Sequence, residues 1–169
     1  MIRIIFVSLL LMSSYFGFSQ NEKAVSVEKS TFGIQVGLIG IWVHNELKLS
    51  DQVALRSEIG LGGVNTENIV PIVALEPRWY YNLNGRTDKH KRIDGNSGNY
   101  VSLRTSYHFR SVLEAEENDV NQIFIAPTWG IRRNLGNHFN YEVGVGAGLG
   151  YRRKIVFSPY VNLRIGYRF

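Results

Sequence analysis

The sequence predicts an all-β fold: an antiparallel transmembrane β-barrel of eight strands behind a cleaved signal peptide. Three observations predict it. Segment after segment alternates apolar and polar residues, and a period of two is the mark of a strand with two unlike faces. The polar members of those pairs include charged residues on strand after strand, which suits a wet or ion-paired lumen and not a soluble core. The amino terminus is an export leader. Met1 to Ser19 carries Arg3 as its only charge, an apolar run from Ile4 to Met12, and small residues at Ser13, Ser14, Gly17 and Ser19. That is a basic region, an apolar region and a small-residue cleavage site. The apolar run is too short to span a bilayer, which takes about 20 helical residues.

The predicted layout is a signal peptide over 1–19, a short segment over 20–31 and a barrel over 32–169. Removal of the leader leaves 150 residues, enough for one domain, with a formal charge of +4 in place of +5. With no Cys in the chain, disulfides, thiolate zinc sites and lipoprotein processing are excluded. No later stretch approaches 18 apolar residues. A membrane protein of this composition spans with strands, since only helices and closed barrels satisfy the backbone in lipid. The basic balance does not point to nucleic acid, because the charges alternate singly with apolar residues and form no stripe.

Each strand can be read in order. Residues 23–49 are long enough for two strands if the chain turns near Gly37–Gly40. A turn at Ser50–Gln52 leads to Val53–Leu61, with Val53, Leu55, Ile59 and Leu61 outward and Arg56 and Glu58 inward. Ile69–Leu83 sets Ile69, Val73, Leu75, Trp79, Tyr81 and Leu83 against Glu76, Arg78, Tyr80 and Asn82. Asn84–Asn99 is a long basic connection rich in Gly and Asn, expected to be solvated. Tyr100–Phe109 sends Val101, Leu103, Tyr107 and Phe109 out, with Arg104 and His108 in. Glu114–Asp119 is an acidic loop. Ile123–Arg132 faces Ile123, Ile125, Trp129 and Ile131 outward, with Thr128, Gly130 and Arg132 inward. Pro71 and Pro127 fall inside these patterns and need strand ends or bulges. After a turn at Gly136–His138, Phe139–Leu149 alternates apolar residues with Asn140, Glu142 and three glycines, which leave room for long neighbours or let the strand bend. The two turn-and-strand units starting at Leu49 and Leu135 echo one another, each bringing one inward Glu. The last strand, Val161 to Phe169, places Val161, Leu163, Ile165, Tyr167 and Phe169 on one face and Asn162, Arg164, Gly166 and Arg168 on the other.

An eight-stranded barrel is just wide enough to be filled by side chains. Its lumen is expected to receive Arg56, Glu58, Glu76, Arg78, Arg104, Arg132, Glu142 and Arg164, with Arg168, Glu46 and Lys48 as further candidates. Charges there must pair or stay wet, so the expectation is an ion-pair plug. The aromatics Trp79, Tyr81, Tyr100, Trp129, Phe139, Tyr141, Tyr151, Phe157, Tyr167 and Phe169 cluster near strand ends, as in the girdles of membrane barrels. No catalytic, cofactor or metal site is predicted. The four histidines, His44, His90, His108 and His138, share no ligand spacing. His108 and Ser111 lie three apart and so on opposite faces of a regular strand. The run Gly144–Gly150 opens no helix and is not a phosphate loop.

The stretches Leu75–Arg86, Asn96–Leu103, Trp129–Glu142 and the closing strand resemble the small outer-membrane β-barrels of the OmpA and OmpX type, and more narrowly a family of outer-membrane β-barrel-domain proteins from Gram-negative lineages. The closing strand resembles the carboxy-terminal sorting signal that the barrel-assembly machinery reads, which typically ends on Phe. The resemblance implies outer-membrane lipid and that machinery as partners, a monomer, and termini and short turns on the periplasmic side. It implies a structural or interaction role, with lipid A acyl chemistry as the alternative. The barrel deacylases that this alternative resembles carry His and Ser two apart, and the pair His108 and Ser111 departs from that.

Overall fold

The structure is a computed structural model and describes residues 25–63, 69–112 and 121–169. Eight antiparallel strands follow one another around a closed barrel. They are β1 (Ser30–Gly37), β2 (Gly40–Lys48), β3 (Val53–Gly62), β4 (Val70–Trp79), β5 (Asn99–His108), β6 (Gln122–Leu135), β7 (Phe139–Tyr151) and β8 (Ile155–Arg168). Closure comes from β1 on β8, in register from Gly33 opposite Arg168 to Gly37 opposite Arg164. This pairing leaves no sheet edge for another chain to extend. The chain does turn at Leu38–Ile39, so residues 30–48 supply two strands and the count is eight.

The pleat sorts every strand into two faces. In β3, Arg56 and Glu58 are buried in the lumen while Ile59 and Leu61 are exposed on the wall. In β8, Asn162 and Arg164 are buried, and Val161, Leu163 and Ile165 are exposed. The outside is therefore apolar and the inside polar, the reverse of a water-soluble domain. Lumen glycines admit bulky neighbours. A Cβ on Gly60 would stand 2.3 Å from the Trp42 ring, and one on Gly148 would stand 2.5 Å from Phe124. All four prolines, Pro71, Pro77, Pro127 and Pro159, lie within strands. Around Pro77 the β4–β5 register breaks between Leu75 and Arg78, and around Pro127 the β6–β7 register breaks between Ile125 and Thr128. These are gaps of equal length on both strands, not bulges, as expected where an N–H is missing.

Three expectations are corrected. The fourth strand ends at Trp79, not Leu83. Leu83 instead opens α1 (Leu83–Thr87) and is buried with Val27, Ala54, Tyr80 and Tyr100 in a small apolar cluster. Tyr100 points into the lumen and is no part of a girdle. The long connection is solvated only in its first part: residues 84–92 are largely exposed, but the chain then makes a 3-10 turn at Asp94–Asn96, and Gly95, Asn96, Ser97 and Gly98 are buried. Burial is the reason in all three cases, because these residues cover one end of the barrel and shield its apolar cluster from water. The predicted leader and the acidic stretch 114–119 lie outside the described residues.

Alternation of turns puts the connections at 49–52, 80–98 and 136–138 at the end that also holds both ends of the barrel sheet. Aromatics ring this end. The Trp129 Nε1 donates to the Tyr81 hydroxyl at 2.8 Å, Trp79 packs edge-on to Tyr81, and Tyr167 packs against Phe139 and Phe169. At the opposite end Tyr107 and Phe109 stack edge-on, and Tyr151 and Phe157 are exposed.

Candidate functional site

The site is the lumen, and it has three tiers. The middle tier is an ion-pair plug of five arginines and four glutamates, all buried. Registers bring some of them together: Glu46 lies opposite Arg56 on β2–β3, and Glu142 lies opposite Arg164 on β7–β8. Others reach across the barrel. Arg56 donates to Glu46 (3.1 Å), Glu58 (2.8 Å), Glu142 (3.3 Å) and the Gln35 side-chain oxygen (2.5 Å). Arg78 donates to Glu76 (3.0 Å), Glu46 (3.2 Å) and Glu142 (2.8 Å). Arg132 crosses from β6 to Glu46 at 2.6 Å. Arg104 donates to Glu58 at 2.5 Å and Glu76 at 3.2 Å, and Arg164 donates to Glu58. Neutral donors fill remaining carboxylate lone pairs: Tyr80 and Asn96 on Glu46, Tyr100 and Asn162 on Glu142, and Ser102 on Glu76. Such saturation is what a buried charge needs, since an isolated one costs several kcal/mol.

All eight predicted lumen residues meet in this cluster. Glu46, only a marginal candidate from sequence, is the best-connected carboxylate, with three arginines, a tyrosine and an asparagine on it. The two echoing turn-and-strand units deliver Glu58 and Glu142. Lys48 does not join: its Nζ pairs with Asp51 at the β2–β3 turn, 2.7 Å away.

The second tier caps the end that holds the sheet termini. Arg168 donates to Glu28 (2.9 Å) and Asp94 (3.3 Å), so it belongs here and not to the plug. Glu28 accepts from the Gly95 N–H, and its own N–H donates to the Asn96 side-chain oxygen at 2.8 Å. Asn96, held at positive φ (58°), turns its Nδ2 inward to Glu46 at 2.8 Å and so ties cap to plug. Hydrogen bonding from Arg92, followed by smaller electrostatic help from Arg92 and Arg168, holds the Asp94 carboxyl below its ordinary range. Sequence reasoning missed Glu28 and Asn96. The D-G-N turn at 94–96 was the only available signal, because Asn and Gly tolerate positive φ.

The third tier is a cavity of about 400 Å³ at the other end of the lumen. Its wall carries Arg104, Arg164, Ser106, His108 and Gln122 beside Trp42, Ile72, Phe124 and Tyr160. Ser106 Oγ lies 3.0 Å from His108 Nε2. The partner of His108 is thus Ser106, two residues away on the same face, and not Ser111 beyond the strand end. The S-x-H spacing was visible in the sequence. No carboxylate orients this imidazole among the described residues, and the pair faces the lumen. Among those residues no three His, Cys, Asp or Glu side chains converge as metal ligands.

No family model, curated protein or solved structure matches this chain. The functional reading therefore rests on the geometry and chemistry of the lumen and the wall.

Proposed function

We propose that this chain is a small integral outer-membrane β-barrel whose lumen is plugged by ion pairs, with a structural or interaction role. One observation carries the reading: the closed barrel is apolar on its outer wall and charged within, an arrangement that suits lipid outside. Export through the signal peptide and recognition of the closing strand, Val161 to Phe169, by barrel-assembly machinery belong to the same proposal. So do a monomeric state and a periplasmic position for the cap. The plug argues against a pore, because ions would have to break a network that spans the lumen. The alternative of lipid A acyl chemistry has one supporting feature, the Ser106–His108 pair. Among the described residues no carboxylate orients that pair, which lies inside the barrel, so the structural role is preferred.

The test is fractionation of the expressed full chain. The proposal expects it in outer-membrane fractions, migrating differently on a gel with and without boiling, because closed barrels resist detergent until heated. Recovery as a soluble periplasmic protein overturns it. Deletion of Phe169 is expected to reduce assembly more than deletion of the acidic stretch 114–119.

A further inference from the structure

We propose that the cavity at the end of the lumen opposite the cap is a binding site for a small carboxylic acid with an aromatic or other compact apolar body. The first argument is charge. The plug contains five arginines against four glutamates, so its buried charges sum to one excess positive charge. The excess sits toward the cavity, because two arginines line it and, among the described residues, no Asp or Glu does. Arg104 and Arg164 share Glu58 with Arg56, and among the described residues Arg164 has no other carboxylate.

The second argument is unused donors. Arg104 spends only Nη1 on carboxylates among the described residues. Among the described residues Arg164 likewise spends only Nη1, on Glu58, and it lines the cavity beside Arg104. A buried guanidinium normally fills its fork of donors, and an unfilled one favours an added acceptor, above all a planar carboxylate that can meet two N–H groups at once.

The third argument is shape. Above the guanidiniums the wall is aromatic. Trp42 stacks under Arg164, with its ring centroid 3.9 Å from the guanidinium carbon, and Phe124 and Tyr160 pack with centroids 6.1 Å apart. About 400 Å³ falls within the range of small-molecule pockets, which are mostly apolar with a few placed polar groups. The carboxylate would meet Arg104 and Arg164 at the floor, and the ring would lie against Trp42 and Phe124. A bare phosphate or chloride would use the floor and leave the aromatic wall without purpose.

The inference requires the closed barrel but not its membrane location. It is tested on the full mature chain refolded in detergent micelles, with heat-modifiable migration confirming the barrel in every sample. The probe is 4-fluorobenzoate followed by fluorine NMR, with neutral 4-fluorobenzamide reporting partition into micelles. The expected result is saturable broadening of the acid only, reversed by benzoate and not by equimolar inorganic phosphate. Gln122→Glu, which puts a carboxylate on the cavity wall without touching the plug, is expected to weaken binding at least tenfold. Gln122→Met is expected to leave it within about twofold. Equal broadening of acid and amide, unchanged binding in Gln122→Glu, or displacement by phosphate as effective as by benzoate overturns the proposal. Absence of saturable binding by the parent chain with an intact gel shift refutes the site alone, while absence of the gel shift in the parent chain refutes the barrel.

Discussion

Glu46→Gln is the sharpest probe of the plug, because it keeps the shape of the side chain and removes one charge. In the native barrel Glu46 Oε1 accepts from Arg132 at 2.6 Å, Arg56 at 3.1 Å and Arg78 at 3.2 Å, while Oε2 accepts from Tyr80 and Asn96. The substitution raises the excess of buried positive charge from one to two. It also turns an amide N–H₂ toward either three guanidiniums or two neutral donors, so some donors lose their acceptor whichever way the amide sits. Removing one partner of a buried ion pair costs about 3–5 kcal/mol, because the other charge stays buried and unpaired. At about 1.4 kcal/mol per factor of ten, that is a loss of roughly two to three and a half orders of magnitude in the folding equilibrium. The assay is reversible urea unfolding in lipid vesicles followed by tryptophan fluorescence, beside Lys48→Ala. Lys48 makes a partly exposed pair with Asp51, of a kind worth less than about 1 kcal/mol. A Glu46→Gln loss no larger than that of Lys48→Ala would refute the reasoning, since it would mean that the lumen is wet enough to screen its charges.

Other consequences follow from the cap and the lumen wall. The Asp94 carboxyl titrates below its ordinary 3.8, so its contribution to holding the cap is complete above that value and is lost as pH falls below it. Amide protection over Gly95–Gly98, corrected for the intrinsic exchange rate, is expected to fall at acid pH in the parent chain and to lose that pH dependence in Asp94→Asn. Gly60→Ala brings a Cβ within 2.7 Å of the Ile41 carbonyl as well as onto Trp42, and is expected to lower unfolding stability by about 1–3 kcal/mol by overpacking. Orientation is tested with Lys89→Cys on the exposed part of the cap. A membrane-impermeant thiol reagent is expected not to label it in intact cells. Ready labelling would reverse the proposed topology.

The barrel was legible because its information is local. Each strand declares its two faces within ten residues, and the parity of Arg56 and Glu58, or of Glu142 and Arg164, follows from counting by two. The membership of the plug was legible for the same reason. Its wiring was not, because Arg132 reaches Glu46 and Arg164 reaches Glu58 across a lumen whose diameter and register no single strand encodes. The cap was illegible for a different reason. Gly95, Asn96 and Ser97 look like solvated loop residues, and only the neighbouring segment with Val27 and Glu28 turns them into a lid. Leu83 was not legible because alternation says nothing about where a strand stops, whereas Tyr100 follows its parity: with Val101 and Leu103 outward, it points inward. The Ser106–His108 pair was legible by its spacing of two, which puts both side chains on one face of the strand.

The claim that the outer wall faces lipid and the lumen does not is tested most directly by the chain's three tryptophans. Trp79 and Trp129 are on the wall, 52% and 44% exposed, while Trp42 is in the lumen at 3%. Single-tryptophan chains with Phe at the other two positions would be folded into vesicles of lipids carrying bromine on their acyl chains. The account predicts strong fluorescence quenching of Trp79 and Trp129 and little of Trp42. Equal quenching of all three, or quenching of none, would contradict it.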